Sequence, residues 1–417
     1  MPRTDRTVGA VAYSDCLIIG GGQAGGWVAA GLRQKGFSGT ISLVGDEPYH
    51  PYERPPLSKQ VLAGEQPYES TYLRPTSFYE ESGIGLHLGR RAVGLDPVQH
   101  VVTTEDANRL SYGKLVLATG ARPRRLMMGR AEVAGVYYLR GIADMLAIRS
   151  RLAPGRRLVI IGGGFIGLEV AAVAAKLGAE VTVVETEDVL LKRTTPRIVA
   201  LAVQELHESH GVTFRLSAKI SAVEGVGDQK ALVLDNGEEI QADLVLGGIG
   251  VTPNVDLAVA GGLRVYNGIL VDAYGQSSVP DIFAAGDVTN HFNPVLGRYI
   301  RLESWQNAQN QALAVAGVLC GESAAYAEIP WLWSDQYNLN LQYAGLPTGS
   351  TGEIIRGAPE SGTFSIFSTL GARVIAVCGF NAPKDVAIGK RLIAGAQEID
   401  SAKLADTGFD LRKAVAR

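Results

Sequence analysis

The chain has 417 residues, of which 46% are hydrophobic, so it is long enough for two or three domains with substantial cores. Its formal net charge of −3 argues against a nucleic-acid-binding protein. Three widely spaced cysteines provide neither a disulfide framework nor a metal site, and no apolar run approaches the ~20 residues of a membrane span. Residues Met1 to Ser14 lack a signal-peptide core, so we expect a cytoplasmic protein with no nucleic-acid or membrane partner.

The first predicted element is a buried strand that leads through a glycine-rich turn into a helix, Cys16-Leu-Ile-Ile-Gly-Gly-Gly-Gln-Ala-Gly25. The glycines with G-x-G-x-x-G spacing are Gly20, Gly22 and Gly25. In this motif the first glycine allows a tight turn, the second lets the backbone approach a pyrophosphate, and the third lets the helix pack close to its strand. A second strand, Ile41 to Val44, is followed by an acid for the ribose at Asp46 or Glu47.

A proline- and tyrosine-rich stretch comes next, Pro48-Tyr-His-Pro-Tyr-Glu-Arg-Pro-Pro-Leu-Ser-Lys59. Its prolines are incompatible with a central strand, so we expect a stiff loop that leads into a short helix near Leu57. The loop is either a rigid surface feature with a solvated lysine or part of a functional site. Lys114-Leu-Val-Leu-Ala-Thr-Gly120 then closes the first fold as a further strand.

The same pattern returns in the middle of the chain, in Leu158-Val-Ile-Ile-Gly-Gly-Gly-Phe-Ile-Gly-Leu-Glu169. Its glycines with the same spacing are Gly162, Gly164 and Gly167. The predicted helix runs from Phe165 to Leu177, and a second strand, Val181 to Val184, is closed by Glu185. An acid at this position accepts hydrogen bonds from both ribose hydroxyls of NAD and repels the additional phosphate of NADP. Asp243-Leu-Val-Leu-Gly-Gly-Ile-Gly250 closes this second fold.

Two copies of one α/β dinucleotide-binding fold therefore stand in tandem. A strand from Asp281 to Asp287 and a helix that ends near Leu319 follow them. From about Glu328 the sequence alternates like antiparallel strands, which predicts a C-terminal α+β domain for dimerisation, for a partner, or for covering the active site. The predicted domains are residues 1–118 with 249–327, residues 119–248, and residues 328–417.

Two dinucleotide folds, the second inserted before a strand that ends in Ala285-Gly-Asp287, resemble the glutathione-reductase-like flavoproteins, in which the first fold holds FAD and the second holds NAD(P)H. Four stretches narrow the resemblance: Glu53-Arg-Pro-Pro-Leu-Ser-Lys59, Gly162-Gly-Gly-Phe-Ile-Gly-Leu-Glu169, Arg301-Leu-Glu-Ser-Trp305 and Trp331-Leu-Trp-Ser-Asp-Gln-Tyr337. Over nearly the whole chain, the sequence resembles the FAD-dependent NADH:ferredoxin reductases of bacterial oxygenase systems. The resemblance implies that a hydride passes from NADH to FAD, and that electrons then pass singly to a plant-type or Rieske-type [2Fe-2S] ferredoxin. That ferredoxin would serve a Rieske dioxygenase or a haem monooxygenase. Both a monomer and a homodimer are compatible with it.

The resemblance also implies which residues contact FAD. These are Gly20, Gly22, Gly25, Asp46, Arg54, Lys59, Ala92, Arg140, Asp287 and Trp305. Lys59 is expected beside the isoalloxazine and Asp287 at the ribitol–pyrophosphate end. The backbone of Trp305 begins a helix that is expected to face the pyrimidine edge, where a helix N-terminus favours the negative charge of reduced flavin.

On the nicotinamide side, the implied contacts are Gly162, Gly164, Ile166, Gly167, Glu185 and Gly250. The side chains implied to act in catalysis are Lys59, Glu169, Glu303 and Trp333. Glu169 either neighbours the nicotinamide and Lys59 or is an ordinary exposed helical glutamate. Glu303 either points at the nicotinamide carboxamide or caps its helix, and Trp333 either lies near the flavin at the exit face or fills a core.

Charge patterns bear on the donor and on the partner. Lys192 and Arg193 could bind a 2′-phosphate, but the acids Glu185, Glu187 and Asp188 outweigh them, so NADH is the predicted donor. An acidic ferredoxin would need a local basic patch on this slightly acidic chain. The candidates for that patch are Arg298, Arg301, Lys384, Lys390 and Arg391.

The cysteines test other functions of the same fold. A disulfide reductase needs a redox cysteine pair, and no two cysteines of this sequence lie closer than Cys320 and Cys378. An NADH oxidase or peroxidase needs a cysteine shortly after the first fold's second strand, and residues 45–80 contain none. The alternative that stays open is an NADH-sensing or NADH-oxidising flavoprotein of the apoptosis-inducing-factor type, without a dedicated ferredoxin.

Overall fold

The computed structural model describes residues 12–225 and 229–415, so most of the N-terminal stretch considered above lies outside the described residues. The chain divides into two compact units. The first unit comprises Met1–Glu53, Thr71–Arg122 and Thr252–Glu328. The second unit comprises Arg54–Ser70, Pro123–Val251 and Ile329–Arg417.

The helix predicted from Phe165 to Leu177 and the helix predicted to end near Leu319 are both present. The α-helices of the described residues are α1 (Gln23–Gln34), α2 (Gln60–Ala63), α3 (Ser77–Glu81), α4 (Ile142–Arg149), α5 (Phe165–Lys176), α6 (Arg197–Ser209), α7 (Asp256–Ala260), α8 (Trp305–Leu319), α9 (Pro383–Ala394) and α10 (Ser401–Ala405). Short 3₁₀ helices cover Pro55–Ser58, Tyr68–Thr71, Pro359–Ser361 and Leu411–Ala414. Across residues 12–225 and 229–415, no helix is long and apolar enough to cross a bilayer.

The strands are more numerous and many are short. The first group is β1 (Ala12–Ile19), β2 (Ile41–Val44), β3 (Ile84–His87), β4 (Ala92–Asp96), β5 (Val101–Thr104), β6 (Arg109–Leu117), β7 (Ala121–Pro123), β8 (Met127–Met128), β9 (Ala131–Glu132), β10 (Val136–Tyr137), β11 (Arg157–Ile161), β12 (Glu180–Val184), β13 (Thr213–Arg215), β14 (Ile220–Glu224), β15 (Lys230–Leu234) and β16 (Glu239–Ala242). The second group is β17 (Leu244–Gly247), β18 (Val251–Pro253), β19 (Ile269–Val271), β20 (Ile282–Ala284), β21 (Thr289–Asn293), β22 (Arg298–Ile300), β23 (Trp331–Gln336), β24 (Leu339–Gly345), β25 (Gly352–Ala358), β26 (Thr363–Leu370) and β27 (Arg373–Phe380).

The first unit is built on a sheet with the strand order β3-β2-β1-β6-β5-β4, and β20 also pairs with β6. The central strand β1 runs parallel to β2 and β6, with Leu17 opposite Leu115. Alternation along β1 sends Cys16 and Ile18 into the core beneath α1 and α8, and Leu17 and Ile19 into a second core on the other face. The glycine turn therefore lies at the carboxyl end of the parallel strands, which is the ligand-binding edge of such sheets.

The second unit contains a parallel sheet, β10-β17-β11-β12-β13, and a small antiparallel sheet, β14-β15-β16. Its strand β11 pairs with β12 and β17, and the alanine-rich helix α5 follows at the carboxyl end. An antiparallel sheet, β23-β24-β27-β26-β25, completes this unit together with α9. These elements are those of the predicted second dinucleotide fold and of the α+β region after it.

Residues 54–70 of the first predicted domain group with the second unit, which also contains most of the two other predicted domains, so the division into three domains stays a prediction. The sequence predicts that the proline-rich loop belongs to the first dinucleotide fold, whereas its helical part is grouped with the second unit. The physical reason is a contact with a residue distant in sequence, because Lys59 in this segment forms an ion pair with Glu169 of α5.

Candidate functional site

In the glycine turn of the first unit, the backbone conformation or close packing requires glycine at two of the three motif positions. Gly20 has a φ of +121°, and a Cβ on it would lie 2.1 Å from the carbonyl oxygen of Ala118. A Cβ on Gly25 would lie 1.9 Å from the carbonyl oxygen of Gly20. Gly22 is the N-cap residue of α1 in an extended conformation, and no side chain caps this helix. The first N–H groups of α1 are therefore left for an anion.

The turn of the second unit repeats this arrangement and isolates the role of the middle glycine. A Cβ on Gly162 would lie 2.5 Å from the carbonyl oxygen of Gly248, and a Cβ on Gly167 would lie 2.6 Å from that of Gly162. At Gly164 the nearest atom would be 4.0 Å away, so the protein itself leaves room for a side chain. Gly164 also begins α5, which has no side-chain cap. The open space before an uncapped helix fits a pyrophosphate that approaches the backbone.

Other predicted FAD contacts of the first unit lie around the starts of α1 and α8. The Nε2 of Gln23 in α1 donates to the carbonyl oxygen of Trp305 at 3.1 Å, which joins the two helix starts. Gly286, directly before Asp287, lies so close to α1 that a Cβ on it would be 2.8 Å from the Cβ of Ala24. Gly286 and Trp305 therefore lie close to the start of α1, and the FAD contacts of Asp287 and Trp305 stay a prediction.

A buried amide near this point fits a bound cofactor. Asn307 is fully buried in the first turn of α8, and neither its Nδ2 nor its Oδ1 has a hydrogen-bond partner among the residues that the structure describes. An unsatisfied buried amide is costly, on the order of 1–3 kcal/mol, so a ligand with polar edges would relieve it. No local pattern in the sequence distinguishes Asn307 or Gln23 from other polar helical residues.

The acid of the first fold comes later than in the second. Gly45 stands directly after β2 and faces Gly21, and a Cβ on it would lie 3.0 Å from the Cα of Gly21. Asp46 is exposed, whereas the carboxylate of Glu47 accepts a hydrogen bond from the Tyr52 hydroxyl at 2.6 Å. Asp46 is therefore the better placed of the two for an external ribose. Ala92 is half-buried in β4, opposite Thr104.

The second unit contains a buried ion pair at the predicted catalytic positions. The Nζ of Lys59 lies 2.8 Å from Oε2 of Glu169, and the two side chains are 11% and 6% exposed. Oε2 also accepts a short hydrogen bond from the Ser58 hydroxyl, and Oε1 accepts one from the Ser334 hydroxyl at 2.6 Å. Neither the solvated lysine nor the exposed helical glutamate considered from the sequence is correct.

The two arginines predicted to contact FAD also meet in this unit. The guanidinium group of Arg54 donates to the carbonyl oxygen of Arg140 at 2.6 Å. The backbone N–H of Arg140 donates in turn to Oδ2 of Asp144 at 3.0 Å, in the first turn of α4. The position of Arg54 is thus fixed by the start of a helix.

Glu185 is positioned by the glycine turn that precedes it in the fold. Its Oε2 accepts from the backbone N–H of Gly163 at 2.7 Å, and its Oε1 accepts from that of Glu187 at 3.0 Å. The cation Lys192 lies 2.7 Å from Glu187 and 3.0 Å from Asp188. Hydrogen bonds from Arg197 and Lys192 lower the pKa of Asp188 to about 2. Lys192 is therefore neutralised by acids, which agrees with a preference for NADH.

Two predicted catalytic residues have surroundings that differ from the expectation. Glu303 is exposed and pairs with Arg301, and Ser304, not Glu303, caps α8 by accepting from the N–H of Asn307 at 3.2 Å. The capping role considered for Glu303 is therefore wrong. Trp333 is half-buried and stacks on Trp331 with ring centroids 5.1 Å apart. The remaining predicted nicotinamide contacts, Ile166 and Gly250, are an exposed residue in the first turn of α5 and a glycine with a φ of +92°.

Two uncapped glycine turns and a buried lysine–glutamate pair define a dinucleotide-dependent oxidoreductase. Residues 14–312 match the family described as pyridine nucleotide-disulphide oxidoreductase, and residues 331–415 match the one described as reductase C-terminal. The chain belongs to the pyridine nucleotide-disulphide oxidoreductase family. This finding confirms the predicted fold class, with two Rossmann-like domains and a C-terminal α+β domain.

Similar proteins narrow the family further. The chain is 43% identical to rhodocoxin reductase of Rhodococcus erythropolis, over 96% of this chain and 94% of that protein. It is 42% identical to the ferredoxin–NAD(+) reductase component of the anthranilate 1,2-dioxygenase system of Burkholderia cepacia, over 95% and 98%. A solved structure of the covalent putidaredoxin reductase–putidaredoxin complex matches with a TM-score of 0.93 at 38% identity, over 97% of this chain and 98% of that one. These relatives confirm the resemblance to the reductases of oxygenase systems, an oxidoreductase class that uses FAD and NADH.

Two of the three cysteines are buried and unsuited to redox chemistry. All three are free thiols, and two of them, Cys16 and Cys378, are fully buried. Burial raises the pKa of the Cys16 thiol to about 12 and that of Cys378 further still. Thiols of this kind are unreactive, in contrast to the redox pair of a disulfide reductase.

Proposed function

We propose that the protein is the NADH-dependent reductase of a two-iron ferredoxin that supplies electrons to an oxygenase. The observation that carries the proposal is the buried Lys59–Glu169 pair directly beside an uncapped dinucleotide helix. When bound, FAD supplies the chemistry that connects a two-electron donor to a one-electron carrier. The protein then contributes position and charge rather than a proton-transferring group.

The residues proposed to hold the cofactors are those predicted from the sequence. The turn around Gly20, Asp287 and the start of α8 would hold FAD, with the exposed Asp46 at the ribose. The turn around Gly162 would hold the pyrophosphate of NADH, with Glu185 at its ribose. A preparation purified from cells should be yellow with about one FAD per chain, because a single glycine turn of this kind holds one pyrophosphate. A folded, colourless preparation that cannot take up added FAD would contradict this assignment.

Lys59 is proposed to stabilise the negative charge that arrives with the hydride. Its ammonium group is held by Glu169 at 2.8 Å in surroundings from which most water is excluded. A preorganised cation in such a place stabilises the transition state and the reduced product more than the bound substrate. Trp333 is proposed to lie at the exit face for single electrons.

The partner is proposed to bind a basic face of α9. Lys384 and Arg391 lie on the exposed side of this helix, two turns apart. The acid of the same helix, Asp385, accepts from the Ser365 hydroxyl at 2.8 Å and lies 3.4 Å from Arg356, so it offsets little of their charge. Arg301 is the weaker candidate, because it pairs with Glu303. The proposed partner is a plant-type or a Rieske-type ferredoxin. The proposed location is the cytoplasm, and the proposed assembly is a monomer or a homodimer.

Kinetics separate this function from that of an NADH-sensing flavoprotein. A reductase should pass electrons from NADH to a two-iron ferredoxin in many turnovers, with the reduced ferredoxin measured by its visible absorbance. A sensor should instead accumulate a long-lived complex of nucleotide and reduced flavin. Persistence of that complex for minutes in the presence of excess oxidised ferredoxin would refute the reductase function.

A further inference from the structure

The carboxylate of Glu169 stands at the end of a chain of buried hydrogen bonds that extends away from Lys59. The Ser334 hydroxyl donates to Oε1 of Glu169, and Nε2 of Gln336 donates to the Ser334 oxygen at 3.0 Å. Oε1 of Gln336 lies 2.7 Å from Nε2 of His207, in α6. Each of the three residues that form these hydrogen bonds with one another and with Glu169 is at most 1% exposed. We call Ser334, Gln336 and His207 the relay.

The charge at Glu169 determines the direction of every hydrogen bond in the relay. An ionised carboxylate only accepts, so the Ser334 hydroxyl must donate to it and its oxygen must accept from the amide of Gln336. The carbonyl oxygen of Gln336 then faces His207, which must carry its proton on Nε2. Burial lowers the pKa of His207 to about 4, so this imidazole is neutral at neutral pH. Its Nδ1 has no partner within the described residues, which is the arrangement expected for the Nε2–H tautomer.

We propose that the relay is a positioning device for the reaction: it holds Oε1 of Glu169 so that Oε2 stays directed at Lys59. Ser334 and Gln336 occupy alternate positions of β23, so both face Glu169, whereas Trp331 and Trp333 lie on the other face of this strand. Hydrogen bonds aligned in one direction polarise each other and strengthen the bond at the charged end. The C-terminal domain therefore takes part in the NADH half-reaction, in addition to any role in binding a partner. This inference rests on the proposed function.

The test compares two buried serines that donate to carboxylates from the same sheet. Ser334→Ala should lower the rate constant of flavin reduction by NADH about fivefold to tenfold, since one charge-assisted hydrogen bond is lost, with little change in the Kd for NADH. Ser334→Thr, which keeps the hydroxyl, should restore most of the rate. The matched control is Ser365→Ala in β26, where an equally buried hydroxyl donates to Asp385 at 2.8 Å. It should lower the melting temperature by a similar amount and leave flavin reduction unchanged.

Two further readouts distinguish the relay from simple packing. The variants Ser334→Ala and Gln336→Met should be non-additive in rate, because Gln336 acts on Glu169 only through Ser334. Histidine labelled with ¹⁵N should show His207 as the neutral Nε2–H tautomer at pH 7, identified among the six histidines by the signal lost in His207→Gln. This signal should change in Gln336→Met and does not depend on turnover.

Each outcome decides something. Three results would each refute the proposal that the relay positions Glu169. They are an equal loss of rate in Ser334→Ala and Ser365→Ala, additive effects of Ser334→Ala and Gln336→Met on the rate, and an Nδ1–H tautomer at His207. If NADH does not reduce the flavin of the unaltered protein at all, the proposed function fails. The tautomer measurement would then still decide whether the relay exists.

Discussion

Replacement of Lys59 by methionine isolates the energy of the buried ion pair. At 2.8 Å the Coulomb attraction between Lys59 and Glu169 is about 6 kcal/mol at an effective dielectric constant of about 20. Desolvation of two side chains that are 11% and 6% exposed cancels much of this attraction. Lys59→Met removes the attraction but leaves the Glu169 carboxylate buried, where the hydroxyls of Ser58 and Ser334 still donate to it. We expect a loss of about 3 kcal/mol.

The loss should appear as a change in thermal unfolding. In a unit of this size, about 3 kcal/mol corresponds to a lower melting temperature by roughly 6–12 °C. Glu169→Leu should also lower it, since Lys59 is then left without its partner. The double variant Lys59→Met/Glu169→Leu should lose less free energy of unfolding than the two single variants lose in sum, by about 2 kcal/mol or more. Its melting temperature should be correspondingly higher than the sum of the single effects predicts.

Stopped-flow bleaching of the flavin tests the catalytic part of the same argument. Lys59→Met should slow flavin reduction by NADH at saturating nucleotide more than it raises the Kd for NADH, because the cation acts on charge that develops during the reaction. Additive melting temperatures in the double-variant cycle would show that the pair contributes no mutual stabilisation. An unchanged rate constant for bleaching would show that Lys59 has no part in the hydride step.

Three further predictions follow from charges seen in the structure. Glu185→Ala should narrow the preference for NADH over NADPH about tenfold, because it removes a charged acceptor of ribose hydroxyls. The control Glu180→Ala, which changes an exposed acid at the opposite end of β12, should leave this preference unchanged. Faster turnover of the unaltered protein with NADPH than with NADH would refute the prediction. Charge should be reversed together at the three basic residues of α9, Lys384, Lys390 and Arg391. The triple variant should have a higher KM for ferredoxin and a weaker dependence of that KM on salt, with flavin reduction by NADH unchanged. An unchanged KM for ferredoxin at every ionic strength would show that the ferredoxin docks elsewhere. Burial lowers the pKa of His207 and of His291 to about 4 each, whereas in the unfolded chain both bind a proton below about 6.5. The contribution of these two neutral histidines to stability is therefore fully present above pH 6.5 and is lost as the pH falls toward 4. The melting temperature should fall over this pH window, and it should fall less in His207→Gln. An identical pH dependence of the melting temperature in that variant would contradict the prediction.

Much of the fold could be read from the sequence because the decisive signals are local. The glycine spacing, the β-branched strands and the terminal Glu185 all lie within one βαβ unit, where neighbouring residues dictate the backbone. The helix predicted from Phe165 to Leu177 ends one residue earlier, at Lys176, with Leu177 as its C-cap. The middle glycines were assigned to a pyrophosphate from the motif alone, and the open space at Gly164 is consistent with that assignment.

The parts that could not be predicted depend on contacts between distant residues. Ser334 lies 165 residues after the glutamate to which it donates, and no local pattern connects the two. The segment around Lys59 looked like an insertion in the first fold, yet the structure groups it with the second unit through Glu169, 110 residues away. Asn307 could not be selected either, because a helical asparagine becomes informative only when its burial and its lack of partners are known.

Strand β23 shows why these contacts matter for function. It is an edge strand whose register is set by pairing with β24, from Trp331 opposite Ala344 to Gln336 opposite Leu339. A shift of one residue would exchange the two faces, so the stacked tryptophans and the polar residues that hold Glu169 share one register. The residue proposed for electron exit, Trp333, and the residue that positions Glu169, Ser334, are therefore neighbours fixed by the same backbone hydrogen bonds. It follows that a substitution which loosens the pairing of β23 should impair both half-reactions together, whereas Ser334→Ala should impair only the reaction with NADH.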